Sequence, residues 1–460
     1  MLKIYNTLTR QKEVFATIKK KKVGIYSCGP TVYGNQHIGN MYAYVQWDAF
    51  VKFLRFSGYK VKWVMNITDV GHMTSDQDTG EDKMEKGAKR EGLTPWDIAK
   101  KYTAQFLESA DSLNITRPDI LCKATEHIKE QISLVKKIEK NGFAYKTSTG
   151  LVFDTAKFPD YAKFANLNLE KQEAGARVEV DPEKKKPWDF LLWVTNQPEH
   201  IMIWDSPWGK GFPGWHIECT AMSTKYLGNK FDIHTGGKEH IPVHHTNEVA
   251  QAFGAFGDQT ANFWLHNEWL LIDGVKVSKS LGNIVLVQDI VNKGFDPLSF
   301  RYLTLTSHYR QGLNFSWQSL EAAQTALENL RQKYNEFRAH KGKVDKKIAQ
   351  AEVAKFMEFI ENDLNFPQAI GLIWQIVKNG QITDYEKYLI LVECDKVLGF
   401  NLGKIATKAT IPSEIEEFVA QRESARKSKD WAKADTIRRE IELKGYLVED
   451  SATGSKITKK

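Results

Sequence analysis

The stretch from Val23 to Phe56 constrains the chain most, because it runs from an apolar strand through a glycine-proline break into an amphipathic helix. Val23 and Ile25 read as buried strand positions, Gly29 and Pro30 interrupt them, and Tyr44, Val45, Trp47, Phe50, Phe53 and Leu54 recur at helical spacing. Such a joint sets a helix N-terminus, with unpaired N–H groups and a partial positive charge, at the end of a strand. Gly39 lies there and lets a polyphosphate approach the main chain. The residue pattern alone leaves two readings open, a nucleotide site and a joint that binds nothing.

The alternation continues beyond it. Residues 60–66 read as a second strand ending at Ile67-Thr68-Asp69, the kind of strand end where α/β sheets place ligands. The polar segment 71–92 carries Asp76, Asp78, Glu81 and Asp82 but lacks the third oxygen ligand and the distal glutamate of a calcium loop, so a solvated loop is expected. Helices are expected from Pro95, with Ile98, Tyr102, Phe106 and Ala110 on one face, and through Ile128, Ile132, Val135 and Ile138 until Asn141-Gly142. A hairpin over 143–155 and an irregular stretch over 158–193 then break the pattern. It resumes with 213–227, Phe231-Asp-Ile, Gly236-Gly237, a helix over 243–256 and a strand-like Trp269-Leu-Leu-Ile. Residues 317–341, 348–361 and 367–398 are rich in helix formers with apolar residues at helical intervals, which predicts a bundle. Residues 412–443 read as two helices whose cations surround Trp431, either a solvated face or a surface for a polyanion, and a disordered tail is expected after them.

Composition sets outer limits. At 460 residues the chain can bury several cores, and 42% apolar with 26% charged residues is ordinary for a water-soluble protein. No apolar run reaches membrane-spanning length and the first residues lack the apolar core of a signal peptide, so a cytoplasmic protein without a membrane partner is expected. Cys28, Cys122, Cys219 and Cys394 are widely separated and suggest no disulfide framework. A formal charge of +7 is compatible with nucleic acid and equally with a lysine-rich solvated surface.

Two short motifs sharpen the reading. His37-Ile38-Gly39-Asn40 resembles the first signature of class I aminoacyl-tRNA synthetases, and Lys276-Val277-Ser278-Lys279-Ser280 resembles their second, with valine in place of the usual methionine. Cys28-Gly-Pro-Thr-Val-Tyr33, Asn66-Ile-Thr-Asp69, Gly214-Trp-His-Ile-Glu-Cys219, Phe231-Asp-Ile-His234 and His244-His-Thr-Asn-Glu248 narrow the resemblance to cysteinyl-tRNA synthetases. It runs from Leu2 to about Thr453. The resemblance implies an α/β fold, a Rossmann-like nucleotide-binding catalytic domain with an insertion, followed by an α-helical bundle and a small anticodon-binding domain. Its expected parts are catalytic halves at 1–125 and 201–285, the insertion at 126–200, a stem-contact region at 286–315, the bundle at 316–405 and the anticodon unit at 411–460.

The resemblance also implies activation of L-cysteine by ATP with Mg2+ and transfer to cysteine-specific tRNA by a monomer. His37, Asn40, Lys276 and Lys279 are the expected catalytic residues, and Gly39, Gly236, Gly237 and Lys279 the ATP contacts. His244 and Glu248, four apart on an expected helix, project from one face, and Cys28 and Cys219 can complete a thiolate, thiolate, imidazole, carboxylate set that zinc accepts. By resemblance these four are the ligands of one Zn2+, which selects the cysteine thiol; a closed structural zinc is the alternative. Thr68, Trp215 and His234 are the implied amino-acid contacts and His266 lies near them, while packing alone would equally account for the two histidines. A related ligase that delivers cysteine to an amino sugar, and a non-catalytic zinc-containing RNA-binding paralogue, remain as alternatives. The first needs no anticodon unit, and the second does not need both His37 and Lys279.

Overall fold

A computed structural model describes the chain apart from residues 72–81, 168, 170–180, 198, 278–280, 343–344, 405–412, 452–453 and 460. It opens with a short antiparallel hairpin, β1 (Lys3–Asn6) and β2 (Gln11–Val14). Then come β3 (Lys22–Ser27), α1 (Ile38–Phe56), β4 (Lys60–Ile67), α2 (Lys83–Glu91), α3 (Pro95–Ser112), β5 (Ile120–Lys123) and α4 (Ile128–Lys140). An antiparallel sheet of β6 (Ala144–Thr147), β7 (Gly150–Phe153), β8 (Phe190–Thr195) and β9 (Gly211–Pro213) interrupts the alternation. The alternation resumes with α5 (Trp215–Leu227), β10 (Phe231–Gly237), α6 (Thr246–Phe256) and β11 (Ala261–Asn267).

The five strands β11, β10, β3, β4 and β5 lie side by side in that order, all parallel. Strand order reverses between β3 and β10, so a crevice opens at their carboxyl ends, where open α/β sheets bind ligands. Helix α1 is apolar nearly all round because it is covered on more than one side. It packs on the sheet and also against the helices Pro297–Leu305 and Asp384–Leu398.

A buried ion pair joins these layers. Arg301 Nη2 lies 2.7 Å from Asp48 Oδ2 with both side chains fully buried, and Lys52 Nζ reaches the same carboxylate at 2.5 Å. The same guanidinium donates to the carbonyls of Leu398 and Leu113, so α1, the end of α3 and the bundle meet at one cation. Asp48→Ala leaves that cation buried and uncompensated and is expected to cost roughly 3–5 kcal/mol, whereas the paired swap Asp48→Leu with Arg301→Met is expected to cost far less. Urea unfolding of the two variants checks this; equal midpoints would contradict it.

Several expectations are corrected. The expected solvated loop contains α2, because Asp82 caps it by accepting from Glu85 N at 2.8 Å, Met84 and Ala88 are buried, and Gly92 ends it in the left-handed region at φ 65°. The calcium candidates Asp76, Asp78 and Glu81 lie outside the described residues. The sheet of the insertion continues past residue 200 to β9, where Trp193 pairs with Pro213. Leu270–Ile272 leaves the catalytic sheet and pairs instead with Val275–Lys276 and Leu313–Phe315. The helix-rich stretch 367–398 forms two helices of the bundle, Phe366–Lys378 and Asp384–Leu398, separated at Asn379-Gly380.

Near the C-terminus, the helices Ser413–Lys427 and Trp431–Leu443 are followed by an antiparallel pair, Tyr446–Ser451 with Gly454–Lys459, where composition suggests a disordered tail. Val448 closes a small core on Ile415, Ile437 and Ile441, which gives the hairpin something to fold onto.

Candidate active site and metal centre

The two signature segments meet at the sheet's switch point. Helix α1 starts on His37, held extended at φ −81° and ψ 167°, and its first turn contains no acidic residue, which leaves the positive end of the helix open to an anion. A Cβ placed on Gly39 would lie 2.9 Å from the His37 ring and 3.6 Å from Val277 Cγ2, so the valine of the second signature packs on the glycine of the first. Both face a cavity of about 450 Å³ that is also lined by Cys28, Asn40, Gly236, Gly237, Trp269 and Lys276. Gly236 is a real steric requirement, because a Cβ there would stand 2.6 Å from the His245 ring.

Lys276 projects its ammonium over the Trp269 ring, 4.1 Å from the centroid. Trp269 is itself held by its Nε1–H, which donates to Glu239 Oε2 at 3.0 Å. Thus the loop's first lysine is already turned toward the cavity by an aromatic face. Ser278, Lys279 and Ser280 lie outside the described residues.

Beside the cavity stands a buried group of metal donors. One ligand atom from each of Cys28, His244, His245 and Glu248 falls within 4.8 Å of every other. Cys28 is the first residue after β3. His244 and His245 lie in a single π-helical turn, Ile241–His245, that runs directly into α6 and brings Glu248 beneath them. His244 Nδ1 is 3.0 Å from His216 Nδ1, which turns its Nε2 toward Glu248 Oε1 at 3.1 Å. Cys219, on α5, is buried next to Cys28, and the two thiols perturb one another.

These residues fit a zinc ion. Burial pushes the Cys28 and Cys219 thiols and the Glu248 carboxyl up and the His234 and His245 imidazoles down, so each group is driven toward its neutral form. Glu248 Oε1 is buried among the ring nitrogens of His234, His244 and His245 at 3.1–3.8 Å, with no aligned hydrogen bond. A divalent cation reverses this tendency for the thiols and the carboxyl, favouring thiolate and carboxylate, and keeps the imidazoles neutral as ligands.

The other expected residues surround this group. His234 is fully buried, stacked on Trp264 with ring centroids 4.4 Å apart, and its Nε2 lies 3.6 Å from Cys28 Sγ. His266 bonds Thr7 Oγ1 at 2.7 Å on one side and His245 Nδ1 at 2.6 Å on the other, so a chain of polar contacts runs from Thr7 to Cys28. The Trp215 ring covers His244 at 4.3 Å. Thr68 is buried behind the cavity wall, where it donates to Glu218 Oε2 at 2.8 Å and accepts from Asn66 Nδ2. None of Thr68, Trp215 and His234 is among the residues that line the cavity.

Sequence reasoning missed His245, Glu239, Trp269 and Glu218. The His244-His245 doublet was the available signal for the first, since a π-turn can aim both rings at one point. Nothing local marks Glu239 or Trp269, which become neighbours only when β10 and β11 pair.

Comparison with known proteins agrees with the geometry. Residues 14–325 match the family model described as tRNA synthetases class I (C) catalytic domain, and residues 409–456 match the cysteinyl-tRNA ligase anticodon binding domain. The chain is 43% identical over 482 residues to the cysteine–tRNA ligase of Treponema denticola, with 98% of each chain covered. It is 44% identical over 460 residues to cysteine–tRNA ligase 1 of Burkholderia lata, covering 99% of this chain and 96% of the relative. Among solved structures, methionyl-tRNA synthetase of Mycobacterium tuberculosis with methionyl-adenylate superposes with a TM-score of 0.57 at 16% identity, covering 82% of this chain and 89% of that one, a likeness of fold. A catalytic-domain match over two thirds of the chain, together with relatives alike over nearly their whole length, establishes that the chain belongs to the cysteinyl-tRNA synthetase family of class I.

Proposed function

We propose that the chain joins L-cysteine to cysteine-specific tRNA using ATP, with both steps carried out in the cavity at the switch point. The observation that carries this reading is the packing of Val277 on Gly39, which brings the two signatures together beside a buried thiol, imidazole and carboxylate group that opens on the same cavity through Cys28.

In the first step a carboxylate oxygen of cysteine bonds to the α-phosphorus of ATP, the bond from that phosphorus to the pyrophosphate oxygen breaks, and pyrophosphate leaves with the electron pair. In the second, a ribose hydroxyl of the terminal adenosine attacks the acyl carbon and AMP leaves. His37 and the first-turn N–H groups of α1 hold phosphate oxygens, Asn40 assists, and Gly39 leaves the room they need. Lys276 supports the loop, and Lys279 neutralises charge that develops on the phosphorus and the pyrophosphate. Gly236 and Gly237 leave space for adenosine. Magnesium arrives with ATP, held mainly by phosphate oxygens.

Cys28, Cys219, His244 and Glu248 would hold zinc, with His245 a further donor within reach. When bound, zinc supplies a soft centre that favours an ionised thiol over the hydroxyl of serine, a distinction size alone makes poorly. Trp215, packed on His244, and His234, beside Cys28, are the side chains proposed to contact the amino acid from the metal-donor side, and Thr68 is held in place by Glu218 and Asn66. The enzyme is read as a cytoplasmic monomer. Four buried, unpaired cysteines fit a reducing compartment, and no helix among the described residues is long and apolar enough to cross a membrane. The amino-sugar ligase reading finds no support in a chain that matches an anticodon-binding domain.

Cysteine-dependent ATP–pyrophosphate exchange, with serine at least about a hundredfold poorer, tests the activation step. A chain ending at about Thr410 is expected to keep that exchange and to lose tRNA charging through weaker tRNA binding with a shallower salt dependence. Equal charging by the truncated and full-length proteins would remove the anticodon role from that end.

A further inference from the structure

An apolar strip lies exposed where α2 and α3 meet the segment before β9. Leu93, Trp96, Ile201 and Ile203 are 41%, 47%, 59% and 38% exposed. Met202 between the isoleucines is fully buried, which turns both of them outward. Trp96 meets the edge of Trp204 at 6.2 Å between centroids and 83° between planes, so one indole is pinned while much of its surface stays open. The strip is fastened to the start of α2, for Ile201 N donates to Glu85 Oε1 at 2.7 Å and His200 Nε2 lies 2.8 Å from Asp82 Oδ2.

Two observations say what this surface meets. First, α2 separates it from the cavity rim, because a Cβ on Gly87 would stand 3.0 Å from the carbonyl oxygen of Tyr33, which lines the cavity, and 3.6 Å from Ile98 of α3. Second, the strip is fringed by exposed lysines, Lys86 and Lys89 on α2 and Lys100 on α3, while Arg90 and Lys101 beside them share the single carboxylate of Glu91 at 2.8 and 2.7 Å, so positive charge is in excess there. An apolar protein partner or a second copy would have to accommodate that fringe. Flat aromatic faces on an anionic backbone match both parts, and unpaired RNA presents this combination.

We propose that Trp96, with Ile201 and Ile203 beside it, is a stacking ledge for the unpaired bases at the 3′ end of the tRNA acceptor strand, guiding that end over α2 into the cavity. This rests on the tRNA-charging reading above. The ledge takes no part in adenylate chemistry and acts on the RNA alone.

The test measures binding of the full-length protein to two RNAs, intact tRNA and the same tRNA lacking its single-stranded 3′ extension. Trp96→Ala is expected to weaken binding of intact tRNA by about tenfold, the worth of one stacked base, and to leave the trimmed RNA unaffected, while Trp96→Phe keeps most of the affinity. Ile201→Glu, at a position too exposed to endanger folding, is expected to reproduce the selective loss by placing a carboxylate against the RNA backbone. Cysteine-dependent pyrophosphate exchange should stay at the unaltered level in all three variants. Undiminished binding of intact tRNA by Trp96→Ala and Ile201→Glu, or an equal loss on both RNAs, would overturn the ledge. Absence of cysteine-dependent exchange in the unaltered protein would instead overturn the charging reading.

Discussion

Cys28→Ser is expected to weaken zinc binding by at least about a hundredfold, the upper end of what disturbing only the outer partners of a metal costs, and to lower cysteine affinity with it. Cys28 has two duties that coincide at one sulfur. It belongs to the compact donor group and it also lines the cavity, so it is the point where a metal bound by the group would face the substrate. The oxygen of serine is harder and shorter-reaching than sulfur, and the surrounding groups, already driven toward neutrality by burial, gain no compensation for the lost thiolate. Metal content by mass spectrometry and cysteine affinity by calorimetry read the two effects separately from activity, with circular dichroism as a folding control. Full zinc and unchanged cysteine binding in Cys28→Ser would refute the site. The companion variants Cys219→Ser and His245→Asn then settle which side chain shares the coordination. Loss of zinc in the first and retention in the second selects the two-thiol set, and the reverse selects the set with two histidines.

How much of this site was legible depends on how far its parts lie apart in sequence. The β3 strand, the Gly29-Pro30 break and α1 could be read directly, because the apolar residues from Tyr44 to Leu54 recur at helical spacing just after the break. The motifs suggest that His37 and Gly39 meet Lys276 and Val277, but no local pattern requires it, since the meeting depends on β10 inserting between β3 and β11. Helix α2 escaped notice inside a polar segment because few of its residues are apolar and its signals are short-range, a capping Asp82 and a terminating Gly92. Asp48 and Arg301 carry no sequence signal at all. They lie far apart in the chain, and only the packing of α1 under the bundle makes each the other's partner. Likewise no sequence pattern singles out Trp96 at the start of α3, and only its exposure marks it.

Lys279→Ala is expected to slow adenylate formation by about two to three orders of magnitude while cysteine and ATP affinities change little. Lys279 falls in sequence between two described flanks, Lys276–Val277 and Val285–Leu286. On the N-terminal side Lys276 leans on Trp269 and Val277 packs against Gly39; on the C-terminal side Ile38 N bonds Val285 O at 2.8 Å and His37 bridges Leu286. Both flanks are therefore tied to the first turn of α1, the turn proposed above to meet the phosphates. The role proposed for Lys279 is to neutralise charge that appears as the α-phosphorus gains its fifth oxygen, and that charge is largest in the transition state, so its loss would fall on the rate and spare ground-state binding. Gly39→Ala is expected to act in the opposite sense. Its new methyl group displaces the His37 ring, raising KM for ATP more than it lowers kcat. Rapid-quench measurement of adenylate separates the two, and a burst at the unaltered rate in Lys279→Ala would show that the charge on the leaving pyrophosphate is neutralised from elsewhere.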